Sequence, residues 1–210
     1  MRYLFITIVL FTFISCESSH EKELVNASFE NYKNSILNDK GEESIKYVDK
    51  RTLKHYAHIL ELVKTADSLT LEASTLLDKF FVLAVRHTTE KDLLLKMTGD
   101  ELFIYAIKNG MVGKESVVDA SMGDIEIDND FAVGEFQSKG KNTGLKLHFY
   151  KEAGAWKADL TSLFAFSNVG FKKMITESGL AENECLLQIL ENAYEKQPTN
   201  NLWIPINELK

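Results

Sequence analysis

Three sets of residues carry side chains that enzymes use for acid–base or metal chemistry. The tightest set combines an acid, a base and a phenol, because His148, Tyr150 and Asp159 fall within one predicted hairpin. A carboxylate and an imidazole placed within hydrogen-bond reach of a substrate can act as general acid and base. These three residues are therefore the candidate acid–base set of the chain. An enzyme that acts through Asp159, with His148 or Tyr150 as its partner, is the alternative to a binding protein.

A second set is His55-x-x-His58, whose spacing places two imidazoles on one side of a helix. Zinc requires three or four ligands, and Glu61 lies well round the helix from His55. Both histidines lie away from the apolar stripe of that helix. We interpret them as part of a solvated helix face, and we predict neither a bound metal nor a cofactor.

The third candidate is Cys185, which borders an apolar helix face formed by Leu186, Ile189 and Leu190. No neighbour in sequence would lower the pKa of its thiol, so we predict a buried cysteine that acts as a small hydrophobic residue. The sequence also lacks a glycine-rich phosphate loop and a serine-centred nucleophile elbow. We therefore name no catalytic residue and favour a domain that binds a ligand or a protein without catalysis.

The amino-terminal segment predicts where such a domain works. Arg2 precedes an apolar run over residues 3–14, and small Ser15 precedes Cys16. A charged start, a short apolar core and a small residue at the cut are typical of an export signal, and about 20 apolar residues would be needed to span a bilayer. The end of the run, Phe13-Ile14-Ser15-Cys16, resembles the lipobox of bacterial lipoproteins, with Phe13 where leucine usually stands. The resemblance implies cleavage before Cys16, acylation of Cys16 by palmitate or a similar chain, and anchoring to a membrane of the bacterial cell envelope.

The sequence predicts a signal peptide over residues 1–15, a lipidated tether over 16–23 and a single domain over 24–210. The tether follows from an unbroken polar run at 17–23, which has nothing apolar to pack. An ordinary cleaved signal with an incidental cysteine is the alternative to lipidation. The net charge of −7 argues against nucleic acid, whose phosphates need a basic surface. The predicted partners are the membrane, through Cys16, and an envelope protein or a small ligand.

Apolar periodicity predicts an α+β fold with a helical amino-terminal half, a four-stranded antiparallel meander and two carboxyl-terminal helices. The predicted helices cover residues 24–39, 44–66, 68–84, 89–97, 102–108, 163–178 and 181–196, and the predicted strands cover 116–127, 131–137, 145–150 and 155–161. The apolar tail at 201–206 is expected to pack on the body of the domain.

Turn lengths predict which residues face each other in the meander. A three-residue turn at 128–130 would place Ile127 opposite Phe131, keeping the apolar residues on one face. A four-residue turn at 151–154 sets the last hairpin. It would place Phe149 opposite Trp156, Lys146 opposite Asp159 and His148 opposite Lys157. We therefore expect Phe149 and Trp156 in the core and Asp159 beside Lys146 near solvent.

The last hairpin, residues 145–150 and 156–160, is rich in aromatic side chains and resembles the sheet of the NTF2-like superfamily. In that group long helices lie across a curved sheet that can enclose a pocket. The resemblance implies that His148, Tyr150 and Asp159 could line such a pocket. A third alternative is a structural subunit of an envelope complex, with the tail at 203–206 or an exposed helix face as its contact.

Overall fold

The computed structural model describes residues 11–112 and 114–209, with side chains from residue 19 onward. Residues 1–10 of the predicted signal peptide, which covers 1–15, and the side chain of Cys16 lie outside this description. We predicted one domain over residues 24–210, and two compact units share that span. Among the described residues, the first unit combines those up to Asp49 with those from Val112 to Leu160, and the second combines Lys50–Met111 with those from Thr161 onward.

The fold class is α+β, as predicted, with helices before and after one four-stranded antiparallel sheet. The helices are α1 (Phe11–Leu37), α2 (Gly41–Ser44), α3 (Lys50–Thr65), α4 (Ser68–Ala73), α5 (Leu76–Thr88), α6 (Lys91–Lys96), α7 (Gly99–Lys108), α8 (Phe164–Ser178) and α9 (Glu182–Tyr194). The strands are β1 (Ala120–Asp128), β2 (Phe131–Ser138), β3 (Lys141–Glu152) and β4 (Ala155–Asp159), in spatial order β1-β2-β3-β4. Among the described residues, no helix has the length and apolar character needed to cross a membrane.

In the first unit, α1 packs on one face of the sheet. Its predicted apolar stripe is confirmed, since Val25, Phe29, Tyr32 and Ile36 are all buried. The hydroxyl of Ser28 on the same face donates to the main-chain oxygen of Trp156 at 2.7 Å. The facing side of the sheet is apolar and shares the core with α1. Its buried members include Ile125, Ala132, Leu147, Phe149 and Trp156. The prediction that Phe149 and Trp156 lie in the core is therefore confirmed.

The polar run expected to form a solvated tether is helical in the structure, because α1 already includes it. The carboxylate of Glu21 accepts a hydrogen bond from Trp156 Nε1 at 2.6 Å and lies 2.9 Å from Lys151 Nζ. Those two bonds, the one from Lys151 first, lower the pKa of Glu21. The expectation of a free tether thus fails at Glu21, whose partners lie more than a hundred residues away in sequence.

The two predicted hairpin turns are both too long. Asp128 pairs with Phe131, so the first loop contains two residues, Asn129 and Asp130, and not three. A slip of one residue reverses the faces, so Phe131 does not share the core face with Ile127, which lies opposite Ala132.

The second loop also contains two residues, Ala153 and Gly154, and both have positive φ, at 51° and 82°. Such mirror-image turns match the twist of the strands, which explains why the hairpin closes so tightly. Alanine rarely takes this conformation, so a two-residue turn at this position is not predicted from residue type. Phe149 therefore lies opposite Ala158, and Trp156 lies opposite Lys151.

In the second unit, the predicted third helix is broken. Thr75 caps a new helix by accepting a hydrogen bond from the main-chain nitrogen of Asp78, so α4 ends at Ala73 and α5 starts at Leu76. The break changes which residues on either side of it face the core. Leu69, predicted to be buried, is 77% exposed. Two predicted helix boundaries are confirmed. The capping box of Thr98 and Glu101 begins α7, and Gly179, in a left-handed conformation, ends α8. The predicted packing of the tail is confirmed by the burial of Leu202 and Ile206.

A buried arginine connects three parts of this unit. Arg86 donates to the main-chain oxygens of Leu62, Val63 and Ala66 at the end of α3, and to that of Leu202 in the tail, over 2.7–3.0 Å. Burial lowers the pKa of Arg86 to about 10, which leaves the guanidinium charged at neutral pH. One side chain thus satisfies four carbonyl groups.

The first prediction concerns Glu21. Its pKa is lowered on folding, so its contribution to stability is present above the unfolded value of 4.5 and is lost as pH falls through the folded value. Glu21→Gln should therefore be less stable than the wild type near neutral pH, and the difference should shrink as pH falls below 4.5. Denaturant unfolding across this pH range measures it. Glu23→Gln is the control because the Glu23 side chain is 76% exposed, and a pH-independent difference for Glu21→Gln would contradict the assignment.

The second prediction concerns Arg86. A lysine ammonium has three N–H donors on a single nitrogen and cannot bond all four carbonyl oxygens, and each buried group left without a partner costs about 1–3 kcal/mol. Arg86→Lys should therefore lower the free energy of unfolding by at least about 2 kcal/mol. Lys96, at an exposed position in α6, offers a control, since Lys96→Arg should change stability by less than about 0.5 kcal/mol. Equal stability of the two variants would show that the Arg86 contacts do not hold the unit together.

Candidate functional site

The sheet has a second face, and the predicted pocket residues lie on it. Strand pairing places Glu126, Val133, His148 and Asp159 in one row across all four strands, because residues directly opposite each other share a face. His148 therefore lies opposite Asp159, and the predicted pairing of Asp159 with Lys146 is wrong. The cause is the short turn after Glu152, which moves the register of β4 by two residues.

Burial also corrects the interpretation of Asp159. Only 5% of this residue is exposed, although it was predicted to lie near solvent. The next row pairs Tyr150 with Lys157, and this too replaces the predicted pairing of His148 with Lys157. The structure thus brings the acid and the imidazole closer than the sequence suggested.

An aromatic contact holds the imidazole and the phenol of this set. The ring of Phe131 lies 5.3 Å from that of His148 and 5.1 Å from that of Tyr150, measured between ring centres. Phe131 stands on this face because of the one-residue slip at the first turn. The arrangement gives a half-buried His148 between an aromatic ring and a buried carboxylate, which is a geometry suited to acid–base chemistry or to orienting a ligand.

The two histidines of the second candidate set, His55 and His58, lie in different environments. His58 is exposed, as predicted, but His55 is not part of a solvated face. His55 Nε2 lies 3.3 Å from Asp78 Oδ1, and the imidazole packs against Phe164 with ring centres 4.6 Å apart. Burial acts to raise the pKa of Asp78, but the hydrogen bond and charge of His55 outweigh it, and the pKa is lowered. The pair links α3 to the first turn of α5.

Cys185 is buried and free, which confirms its predicted role as a small core residue. Across the described side chains, no three residues of the histidine, cysteine, aspartate or glutamate type lie close enough to share a metal ion. The absence of a metal and of a cofactor stays a prediction.

A network that the sequence analysis did not identify surrounds Lys79 in α5. The side chain of Lys79 is 1% exposed, and its ammonium lies 2.8 Å from Glu72 Oε2 and 2.6 Å from Glu182 Oε1. Asn183 joins the network by donating to Glu72 Oε1 at 2.7 Å. Burial acts to lower the pKa of Lys79, but its bonds to Glu182 and Glu72 prevail, and the pKa is raised. The lysine is thus a charged anchor between α4 and α9.

These carboxylates form one wall of a cleft within the second unit. The cleft has a volume of about 410 Å³ and lies among α4, α5, α8 and α9. Two glutamates, one lysine, three neutral polar residues and one leucine line it, namely Glu72, Ser74, Thr75, Leu76, Asn168, Lys172 and Glu182. The volume falls in the range of about 300–1,000 Å³ that small-molecule sites occupy.

A signal for Lys79 was present in the sequence. Lys79 lies three residues after Leu76 and four before Leu83, which are both buried, so helical spacing places it on the apolar face. A lysine on a buried face needs an acidic partner. The partners, however, come from other helices, and one of them, Glu182, is 103 residues away.

Comparison of the chain with protein-family models, with curated proteins and with solved structures finds no match. The resemblances to bacterial lipoproteins and to the NTF2-like superfamily therefore remain predictions from the quoted residues.

Proposed function

We propose that the chain is a lipoprotein of the bacterial cell envelope, anchored by acylated Cys16, whose folded part binds a ligand or a protein without catalysis. The observation that carries the anchor is the segment Phe13-Ile14-Ser15-Cys16 at the end of a short apolar run that follows a basic residue. The state of the other cysteine supports it. Cys185 is buried and forms no disulfide with any described residue, so it does not compete with lipid for Cys16.

Binding without catalysis is supported by how the reactive groups of the second unit are used. Lys79 is held by two carboxylates, Asp78 is engaged by His55, and Cys185 is in the core. A nucleophile or a base needs access to its substrate, and these groups are occupied by structural contacts. The cleft beside Glu72 and Glu182 offers a concave surface that a ligand can enter.

The test of the anchor is Cys16→Ala. Two or more acyl chains give stable membrane attachment, whereas one gives only marginal binding. The variant should move from the membrane fraction to the soluble fraction and should lose incorporation of labelled palmitate. Cys185→Ala is the matched control and should remain acylated and membrane-bound. Cys16→Ala protein that still pellets with membranes in high salt would overturn the proposal.

A second candidate function is favoured by one observation, the burial of Asp159 directly opposite His148. An enzyme of the NTF2-like type would use this carboxylate as a general acid or base, with His148 or Tyr150 as its partner. Such groups are often kept at a cost to stability, because selection retains them for function.

Asp159→Asn separates the two candidates. If Asp159 is catalytic, removing its charge should leave the free energy of unfolding unchanged or higher. If Asp159 is structural, the loss of a buried and bonded carboxylate should cost about 1–3 kcal/mol. Chemical unfolding measures the difference, and Asp124→Asn, at an exposed position in β1, is the control. A clear loss of stability for Asp159→Asn alone would remove the support for the enzyme.

A further inference from the structure

We infer that the cleft of the second unit binds a small zwitterion, a molecule that carries one ammonium and one carboxylate group, such as a free amino acid or a short peptide. This inference rests on the proposed binding function, for which it names the site and the class of ligand. Recognition of a ligand in the cleft depends on which of its polar groups are not already bonded within the fold.

The neutral polar groups of the cleft are largely used within the fold. Ser74 Oγ donates to the main-chain oxygen of Thr70 at 2.9 Å, and Thr75 Oγ1 accepts from the main-chain nitrogen of Asp78 at 3.2 Å. Asn168 accepts from the main-chain nitrogen of Leu77 and donates to the main-chain oxygen of Phe164, both at 3.0 Å. Hydroxyl and amide groups therefore contribute shape more than recognition.

The carboxylates keep the capacity to accept more hydrogen bonds. Lys79 uses one oxygen of Glu182, and Oε2 of that residue has no hydrogen-bond partner in the part of the chain that the structure describes. Glu72 divides its two oxygens between Lys79 and Asn183. Because Lys79 is buried, it fixes the two carboxylates in place before a ligand arrives, which reduces the entropy lost on binding. A ligand ammonium would meet an oriented carboxylate at Glu182.

The opposite charge is supplied by Lys172 on α8. Its ammonium makes no ion pair or hydrogen bond with any described residue, whereas the adjacent Lys173 lies 3.8 Å from Glu177 on the same helix. A ligand carboxylate would find its partner at Lys172. The four charges of the site, from Glu72, Glu182, Lys79 and Lys172, sum to zero. A zwitterion preserves this balance, whereas an ion of a single sign would leave an uncompensated charge in the cleft.

Isothermal titration calorimetry on the purified full chain tests the inference with four probes. L-Alanine and L-alanyl-L-alanine carry both charges at different separations, ethylamine carries only the ammonium, and propionate carries only the carboxylate. At least one zwitterion should bind about fivefold or more tightly than ethylamine and propionate, which corresponds to about 1 kcal/mol for the second ion pair. The alanine and dialanine arms distinguish an amino-acid ligand from a peptide ligand.

Two pairs of variants supply the controls. Lys172→Gln and Glu182→Gln should each weaken binding of the zwitterion about fivefold or more. The control variants Lys173→Gln and Glu184→Gln change neighbouring charges outside the cleft, and the affinity for the zwitterion should stay within about twofold of the wild type. Lys172 is exposed and its ammonium bonds no described residue, so its variant should remain folded. Three results would each overturn the inference. They are no heat from either zwitterion, binding of ethylamine or propionate as tight as that of the zwitterions, and an equal loss of affinity in the control variants. None of these results bears on the acylation of Cys16, which the fractionation of Cys16→Ala tests separately.

Discussion

The second unit depends on how helix α5 accommodates three buried polar side chains, Lys79, Arg86 and His87. A buried charge or polar group destabilises a protein unless it finds partners, so each of these residues fixes a neighbouring segment. Lys79 binds carboxylates of α4 and α9, Arg86 binds the end of α3 and the tail, and His87 Nε2 donates to the main-chain oxygen of Lys196 at 3.0 Å. No buried side-chain nitrogen or oxygen among the described residues lacks a hydrogen-bond partner.

This constraint also shapes the cleft. The ammonium of Lys79 orients Glu72 and Glu182, and the break before α5 places Ser74 and Thr75 at the rim. A site built from groups that the fold already holds in place needs little rearrangement on binding. The same contacts make Lys79 a poor candidate for catalysis, since a lysine nucleophile must lose its proton and its bonds to Glu72 and Glu182 favour the charged form. The contacts of Lys79 therefore support the proposal that this unit binds a ligand and does not use Lys79 for covalent chemistry.

The sequence predicted the features that local physics determines. Apolar spacing located α1, the capping box of Thr98 and Glu101 located α7, and alternation identified the meander and the core position of Trp156. The sequence failed where a local choice has distant consequences. The turn at Ala153 and Gly154 takes a conformation that alanine rarely adopts, and its length decides the partner of Asp159. Propensity alone does not distinguish a two-residue loop from a four-residue loop there.

The first unit shows the same dependence of chemistry on register. A one-residue slip at Asn129 moves Phe131 to the face of His148, and a two-residue shift in the last hairpin moves Asp159 from Lys146 to His148. Because the shift in the last hairpin is even, the core face is unchanged, and only the polar pairing differs. A sequence can thus specify the core of a sheet while leaving its outer face undetermined. Functional residues on such a face are therefore harder to assign from sequence than the core residues behind them, and here the strand register was needed to identify His148 as the neighbour of Asp159.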